Sequence, residues 1–207
     1  MSRRPDVPGE LVLASGNAGK LRELRALLEP RGFAVRPQSE WDIPEAVEDG
    51  LSFLENALIK ARHAARLTGC AALADDSGLV VPALEGAPGI HSARYSAEPR
   101  GDGANNAKLL ATMASLEGDA RKAYFHCTLV LMRHAEDPVP LVAFADWWGV
   151  IAAGLKGEGG FGYDPLFEVP GTGLRSAELP PAEKNAISHR GQALAKLAAL
   201  LDDGDAA

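Results

Sequence analysis

The sequence has few cysteines. Cys70 and Cys127 are the only two among 207 residues, and both lie in apolar stretches without the spacing of a metal-ligand cluster. This pattern is typical of buried thiols in a reducing compartment, and it argues against a disulfide scaffold and against a structural zinc site.

Long apolar runs are also missing. No segment approaches the roughly 18 uninterrupted apolar residues of a membrane span, and the N-terminal MSRRPDVPGE has no apolar core of the kind a signal peptide needs. We therefore expect no membrane association and a cytoplasmic location.

Positive charge is in short supply. The chain has 21 Lys and Arg against 28 Asp and Glu, a formal net charge of −7, and no block of like charges. A protein whose main function is to coat nucleic acid would need a basic surface, so we expect no nucleic-acid partner. An anionic ligand would have to be bound by a local cluster of cations.

What the sequence does contain is an alternation of strand-like and helix-like segments. LVLAS at 11–15 and FAVRPQ at 33–38 have the composition of strands, and a helical pattern lies between them and ends near Pro30. This order predicts β-α-β at the start of the chain. With 46% hydrophobic and 24% charged residues, the chain is long enough for a substantial core in one domain or in two tight lobes.

Further helices are indicated by apolar residues at three- and four-residue steps. Ser52 and Glu55 form a possible capping box at the start of one such pattern. The pattern covers 51–68 and consists of Leu51, Leu54, Leu58, Ala61 and Ala65. Others are predicted at about 104–116 and in the C-terminal part, before a polar tail at 202–207.

Several stretches look like strands. The segment CAALADDSGLVV at 70–81 predicts two short apolar runs around a polar break. Segments 123–134 and 139–152 are rich in Val, Phe, Leu and Trp, and they predict long paired strands.

The loop SGNAGK at 15–20 joins the first strand to the first helix. It is not a Walker A loop, because Ala14 stands where the first glycine belongs and Leu21 where the magnesium-binding hydroxyl belongs. Its glycines still permit close backbone approach, and Lys20 adds charge near a helix N-terminus, where a phosphate can bind. An ordinary strand-to-helix turn with an exposed lysine is the alternative.

Acidic residues cluster in two places. Asp75 and Asp76 follow an apolar run, where α/β proteins often keep ligand sites, although Asp before Gly is also a common turn former. Glu45, Glu48 and Asp49 precede the 51–68 helix, and such hard oxygen ligands suit magnesium.

On that helix, Asn56 and Lys60 are four residues apart and share a face, so an amide and a cation could point to the same site. A solvated helix face explains Lys60 equally well.

Two later stretches have the residues of a base-binding pocket. In GGFGYDP at 159–165, Phe161 lies between glycines and could stack on a nucleobase, although a buried hydrophobic turn is more common. EKNAISHRG at 183–191 brings Lys184, His189 and Arg190 close to a helix start, where they could hydrogen-bond a base edge or a phosphate.

These motifs occur together in the order found in one family. Over residues 11 to 200, SGNAGKLREL, EDGLSFLENALIKA, ADDSGL, GAPGIHSARYS, GGFGYDPLF and EKNAISHRGQAL make the chain resemble the inosine triphosphate pyrophosphatase family, most closely its bacterial branch. No single motif is specific, but the combination is.

The resemblance implies an enzyme that splits the α–β phosphate bond of deaminated purine nucleotides (ITP, dITP and XTP), giving the monophosphate and pyrophosphate, with Mg²⁺ as cofactor. Carried over by motif, Asp76 is the general base, and Glu48 and Asp76 are the metal ligands, with Glu45 and Asp49 as close alternatives to Glu48. The implied substrate-binding residues are Ser15, Gly16, Asn17, Ala18, Gly19, Lys20, Lys60, Ser77, Phe161, Gly162, Tyr163, Asp164, Lys184, His189 and Arg190.

The fold that the resemblance implies is α/β: an elongated mixed β-sheet with flanking helices, in a single domain over 1–207 whose two lobes flank a central active-site cleft. It also implies a homodimer, and we expect flexible ends at 1–9 and 202–207. Trp147 and Trp148 receive no role from the resemblance.

Two other functions remain open. A related pyrophosphatase could act on pyrimidine or modified nucleotides, although the SHR and FGYD stretches disfavour it. A nucleotide sensor could keep the loop without the chemistry, although Asp76 and Glu48 argue against it.

Overall fold

The computed structural model describes the backbone of residues 9–205 and the side chains of residues 9–201. The expected flexible ends at 1–9 and 202–207 lie outside these residues, apart from Gly9 and a helical backbone at 202–205. The chain divides into two compact units. The first comprises Met1–Asp76, Cys127–Ala145 and Arg190–Ala207, and the second comprises Ser77–His126 and Asp146–His189.

The first unit opens with the predicted β-α-β arrangement. Strand β1 (Glu10–Leu13) leads into helix α1 (Ala18–Leu28) and then into strand β2 (Ala34–Pro37), which pairs parallel to β1. After helix α2 (Phe53–Thr68), strand β3 (Ala72–Val80) pairs parallel on the other edge of β1. The prediction of β-α-β at the start of the chain is confirmed.

One six-stranded sheet contains all the strands, in the order β2-β1-β3-β4-β5-β6. Strands β4 (Lys122–Met132) and β5 (Leu141–Ile151) are long neighbours, as predicted, and β6 (Phe167–Glu168) pairs antiparallel to β5. Because parallel and antiparallel pairs occur together, the sheet is mixed, and the predicted α/β fold with a mixed sheet and flanking helices is confirmed.

Helix α2 begins at a side-chain cap. The hydroxyl of Ser52 accepts a hydrogen bond from the Glu55 amide at 3.2 Å, and the Glu55 carboxylate accepts one from the Leu51 amide at 2.9 Å. The predicted cap is confirmed, with one difference: Glu55 reaches the amide of Leu51 rather than that of Ser52.

The buried face of α2 is made of alanines. Ala57, Ala61 and Ala64 have no exposed surface and pack in a core with residues of β1 and β3. Leu51 and Leu54, at the start of the predicted pattern, are 88% and 42% exposed, and Leu51 precedes the helix. The later members of the pattern lie on the buried face, since Ala61 and Ala65 are buried and Leu58 packs against the same core. The periodicity therefore predicts the helix and most of its buried face, and it fails only at the two leucines where the pattern begins.

Strand β3 is continuous through its two carboxylates. The predicted polar break around Asp75 and Asp76 is wrong, since both residues lie inside a nine-residue strand. Asp75 is 0% exposed, and a buried carboxylate is costly unless it is paired. Lys20 on α1 approaches one of its oxygens at 2.8 Å, and Arg190 approaches the other at 2.7 Å.

In the second unit, helix α3 (Asp102–Thr112) precedes β4.

The C-terminal helical region consists of two helices. Helix α4 (Pro181–Ile187) ends at Ser188, whose backbone is extended. Helix α5 then runs over His189–Asp205. None of the helices in the described part of the chain combines the length and apolar composition needed to cross a membrane.

Removing the charge of Asp75 should strongly destabilise the fold. In Asp75→Asn, Lys20 and Arg190 would lose the carboxylate that they share, and Arg190 would retain its contact with Glu23. We therefore expect the free energy of unfolding to fall by about 3–5 kcal/mol at pH 7. Urea denaturation measures this value. Asp119→Asn is a matched control, because the Asp119 side chain is 90% exposed and pairs only with Lys122 among the described ion pairs.

The pH dependence provides a second measurement on the same pair of proteins. Burial alone would raise the pKa of Asp75, but Arg190 and Lys20 hold it well below its ordinary value. The stabilisation is therefore complete above the unfolded pKa of about 3.9 and is lost as the pH falls through the folded pKa. The stability difference between wild type and Asp75→Asn should be constant from about pH 5 to 8 and shrink below about pH 4. A difference that shrinks near neutral pH would contradict the buried ion pair.

Candidate active site

The loop at 15–20 is the link between β1 and α1, and it is held by its own polar side chains. Asn17 caps α1: its side-chain oxygen accepts a hydrogen bond from the backbone amide of Lys20 at 3.0 Å. The backbone amide of Asn17 donates to the Ser15 hydroxyl at 3.1 Å. Gly16, Asn17 and Ala18 are exposed. The first turn of a helix has amides without intrahelical partners, so this exposed end can receive a phosphate.

Lys20 is fixed in place. Its side chain is 14% exposed, because its ammonium is paired with Asp75. The exposed lysine of the alternative interpretation is therefore wrong, and the phosphate-binding role of 15–20 stays a prediction. The carboxylate of Glu45 packs against this loop. A Cβ at Gly16 would lie only 2.7 Å from Oε1 of Glu45, so the contact needs a glycine at this position.

Next to this loop in the first unit, Lys60 bridges two carboxylates. Its Nζ lies 2.5 Å from Oδ1 of Asp76 and 3.3 Å from Oε2 of Glu48, and it donates to the Asp75 carbonyl at 3.0 Å. The alternative of a solvated Lys60 is wrong, since only 12% of its side chain is exposed.

These contacts set the protonation of the cluster. Burial would lower the pKa of Lys60, but Asp76 and Glu48 raise it above its ordinary value, so the ammonium stays charged. Burial raises the pKa of Asp76, and the cations Lys60 and Lys20 only partly offset that effect. A carboxylate with a raised pKa is a stronger base, which is the property that proton abstraction requires.

The segment that carries Glu48 is anchored to α2. The Gly50 amide donates to the carboxamide oxygen of Asn56 at 2.9 Å, and a Cβ at Gly50 would lie only 2.6 Å from that of Glu55. Only glycine fits this close approach. Asn56 therefore shares the Lys60 side of α2, as predicted, but its buried side chain contacts the segment that follows Glu48.

The donor set suits a divalent metal. Among the described residues, no group of three or more His, Cys, Asp and Glu could hold a metal ion. Glu48 and Asp76 do converge on one cation, the ammonium of Lys60, and Mg²⁺ commonly takes one or two carboxylates and completes its shell with water and phosphate oxygens. Glu48 contacts Lys60, whereas Glu45 lies against Gly16.

In the second unit, Asp164 organises the predicted base-binding loop. One of its oxygens accepts from Lys184 Nζ at 2.7 Å and from the Phe161 amide at 2.9 Å, and the other accepts from the Ser176 hydroxyl at 2.8 Å. Gly160 has a φ of +73°, and a Cβ there would lie 2.0 Å from the carboxylate. The glycine is needed because the loop closes around Asp164.

The aromatics of this loop face different ways. Tyr163 is buried, and its hydroxyl donates to the Ser92 carbonyl at 2.9 Å. Phe161 is partly exposed, with Lys184 Nζ 5.2 Å from its ring centroid. Gly162, also partly exposed, donates to Asp102 and accepts from Asn106. Phe161 is thus the partly exposed aromatic of the loop, while Tyr163 and Asp164 are buried and support it.

His189 and Arg190 are neighbours in sequence with different surroundings. In the second unit, the His189 ring lies 4.9 Å from the Phe125 ring, with 12° between their planes. In the first unit, Arg190 is buried, and its guanidinium contacts Asp75 and Glu23. Arg190 is therefore a charge partner of Asp75, and the role of the two side chains in reading the base stays a prediction.

Sequence reasoning missed several contributors. Asp75 was given no site role, although its position beside Asp76 at the end of an apolar run was a signal. Ser77, partly exposed in β3, lies beside Asp76 as predicted. No local pattern in the sequence indicates the roles of Glu23, Phe125 and Trp147. Their partners, Arg190 and His189, lie far along the chain.

Comparisons with known proteins agree with these motifs. The chain matches the Ham1 family over residues 11–200. A dITP/XTP pyrophosphatase of Chromobacterium violaceum is 58% identical over 193 residues, which cover 93% of this chain and 96% of that protein. A dITP/XTP pyrophosphatase of Methylococcus capsulatus is 56% identical over 192 residues, with coverage of 93% and 96%.

Solved structures show the same fold. A HAM1 protein from Coxiella burnetii superposes with a TM-score of 0.86 at 47% identity, covering 94% of this chain and 98% of that one. A nucleoside-triphosphatase, or dITP/XTP pyrophosphatase, from Mycobacterium abscessus gives 0.73 at 43% identity, with coverage of 91% and 98%. The predicted family resemblance is confirmed, and the chain belongs to the Ham1 family.

Proposed function

We propose that the protein is a nucleoside triphosphate pyrophosphohydrolase. It hydrolyses the deaminated purine nucleotides ITP, dITP and XTP to the monophosphate and pyrophosphate, and so clears them from the nucleotide pool. The observation that carries this proposal is the cluster of Glu48, Lys60 and Asp76 beside the loop that ends in Lys20. It combines carboxylates for a metal, cations for a triphosphate and a base for water.

The triphosphate is bound by the first unit. The exposed amides at the start of α1 and the ammonium of Lys20 hold phosphate oxygens, and Lys60 adds a second positive charge. An acidic protein needs such a local cluster, because its net charge repels a tetra-anionic ligand. Arg190 acts on this site indirectly, by sharing Asp75 with Lys20.

Glu48 and Asp76 are the residues that would hold Mg²⁺. The bound ion would neutralise phosphate charge that two lysines alone do not balance. We prefer Glu48 to Glu45 and Asp49 as the second ligand, because its carboxylate shares the ammonium of Lys60 with Asp76.

Asp76 is the general base. Its carboxylate orients the attacking water and accepts its proton, and the raised pKa that follows from its burial makes it a better acceptor. Water then displaces pyrophosphate at the α-phosphorus, and the cations stabilise the charge on the leaving group. Ser77 contacts substrate beside it.

The base is bound by the second unit. Phe161 stacks on the purine, and His189 donates to the 6-keto oxygen of hypoxanthine or xanthine. Adenine has an amino group in that place and would leave the donor unpaired, which can cost on the order of 10⁴-fold in kcat/KM. Gly162 lines the pocket, while Tyr163, Asp164 and Lys184 hold the loop in place, with Lys184 also near the stacking face.

The assembly and the cellular location are part of the same proposal. We expect a homodimer, as the family resemblance implies, and a cytoplasmic location, as the apolar patterning of the sequence predicts.

The first experiment measures pyrophosphate release from ITP, XTP, GTP and ATP with and without Mg²⁺. We expect Mg²⁺-dependent formation of IMP from ITP and of XMP from XTP, with ATP and GTP far slower. Orthophosphate with a diphosphate product, or equal rates on all four nucleotides, would contradict the proposed reaction.

Asp76→Asn should abolish turnover and leave nucleotide binding largely intact, because the amide cannot accept the proton from water. Pyrophosphate release and equilibrium binding of ITP measure the two properties. Asp119→Asn, the same change at an exposed position, should keep wild-type kcat. A near wild-type kcat in Asp76→Asn would contradict the assignment of Asp76 as the general base. A wild type that binds ITP without releasing pyrophosphate would instead be a nucleotide sensor.

His189→Ala should reduce the preference for ITP over ATP. The ratio of the two kcat/KM values should fall by about tenfold or more, because ITP loses a hydrogen bond and ATP no longer leaves a donor unpaired. His126→Ala is the matched control, because His126 pairs with Asp146 away from this ring. Unchanged selectivity in His189→Ala would remove His189 from base recognition.

A further inference from the structure

We propose that Phe125 and Trp147 are positioning residues that fix the plane of the His189 imidazole and thereby determine selectivity for the purine base. This inference rests on the proposed function, since it concerns how the base-reading donor is held. It gives Trp147 a role that the family resemblance left open.

The three rings lie in nearly parallel planes. The centroid of His189 is 4.9 Å from that of Phe125, with an interplanar angle of 12°, and 6.4 Å from that of Trp147, with an angle of 14°. Phe125 and Trp147 are 6.3 Å apart at 24°. These separations are within the range of favourable stacked aromatic pairs.

Parallel contact restricts the one rotation that matters for recognition. The terminal torsion of a histidine is broad, so an unsupported imidazole can sweep its N–H direction over a wide arc. The N–H bonds lie in the ring plane, and a tilt of that plane would break the contact with both aromatic faces. The stack therefore restricts the donor to directions within one fixed plane.

The two supporting rings are themselves fixed. Phe125 and Trp147 are buried, and the ring of Phe167 packs tilted against both, with centroids at 4.7 and 4.9 Å. Phe167 in turn lies against Gly149, where a Cβ would be only 2.5 Å from its Cζ. Close packing of this kind leaves Phe125 and Trp147 little room to follow a moving imidazole.

The two tryptophans of β5 face opposite sides of the sheet. Trp147 is inside with Phe125, whereas Trp148 is 50% exposed and its ring lies 4.5 Å from that of Tyr124. Successive side chains of a strand alternate between its faces. Replacing Trp147 or Trp148 by the same residue therefore distinguishes loss of the aromatic stack from a general disturbance of β5.

The experiment compares Phe125→Leu, Trp147→Leu, Trp147→Phe and Trp148→Leu with wild type. Both inner leucine variants should lower the ratio of kcat/KM for ITP to that for ATP by about tenfold. The fall should come from ITP, with the rate on ATP little changed. Trp147→Phe, which keeps an aromatic face, should retain most of the selectivity, and Trp148→Leu should retain all of it.

A second readout observes the imidazole directly. In wild-type protein with labelled histidine, the ring protons of His189, assigned by their disappearance in His189→Gln, should be shifted upfield by the neighbouring ring faces. The shift should diminish in Phe125→Leu and persist in Trp148→Leu. Unshifted ring protons in the wild type would overturn the stack even if the leucine variants failed to fold.

The outcomes separate this inference from the proposed function. A wild type that does not discriminate ITP from ATP would contradict the function itself. A discriminating wild type whose ratio survives in Phe125→Leu and Trp147→Leu would overturn the positioning role alone. An equal loss in Trp148→Leu would also overturn it, since that result would reflect a general loosening of β5.

Discussion

The buried carboxylate of Asp75 is the group on which the first unit depends. It lies in the middle of β3 with no exposed surface, and it is stable there because Lys20 and Arg190 reach it from α1 and α5. Its neighbour Asp76 faces Lys60 on α2. Two adjacent acidic residues thus connect three helices to one strand, and the contacts that neutralise Asp75 also fix Lys20 in the loop at 15–20.

The second unit uses a similar device with different residues. Asp164 is buried, and its carboxylate pairs with Lys184. The carboxylate also accepts hydrogen bonds from the Ser176 hydroxyl and from the backbone amide of Phe161. In both units a buried carboxylate holds a lysine close to a loop that we propose to bind the nucleotide. The desolvation cost of such a carboxylate is offset only when its partners are correctly placed, so the geometry of each loop is coupled to folding.

Local signals in the sequence were enough for much of the fold. The first β-α-β unit and the cap of α2 depend on residues within a few positions of each other, and these predictions were confirmed. The continuity of β3 was not predictable, because it requires Arg190, which is 115 residues from Asp75 in the chain. The stack on His189 was missed for the same reason, since alternation along β5 shows that Trp147 and Trp148 face opposite sides without showing which of them faces inward.

That alternation has a consequence for how the protein can change. The period of a strand is two residues, so a one-residue insertion or deletion early in β5 would exchange Trp147 and Trp148 between the two faces. Recognition of the base would then be lost through a shift of register, with every residue that touches the nucleotide still intact. If Trp147 positions His189 as proposed, the choice of substrate depends on the pairing register of β5 as well as on the identity of that one side chain.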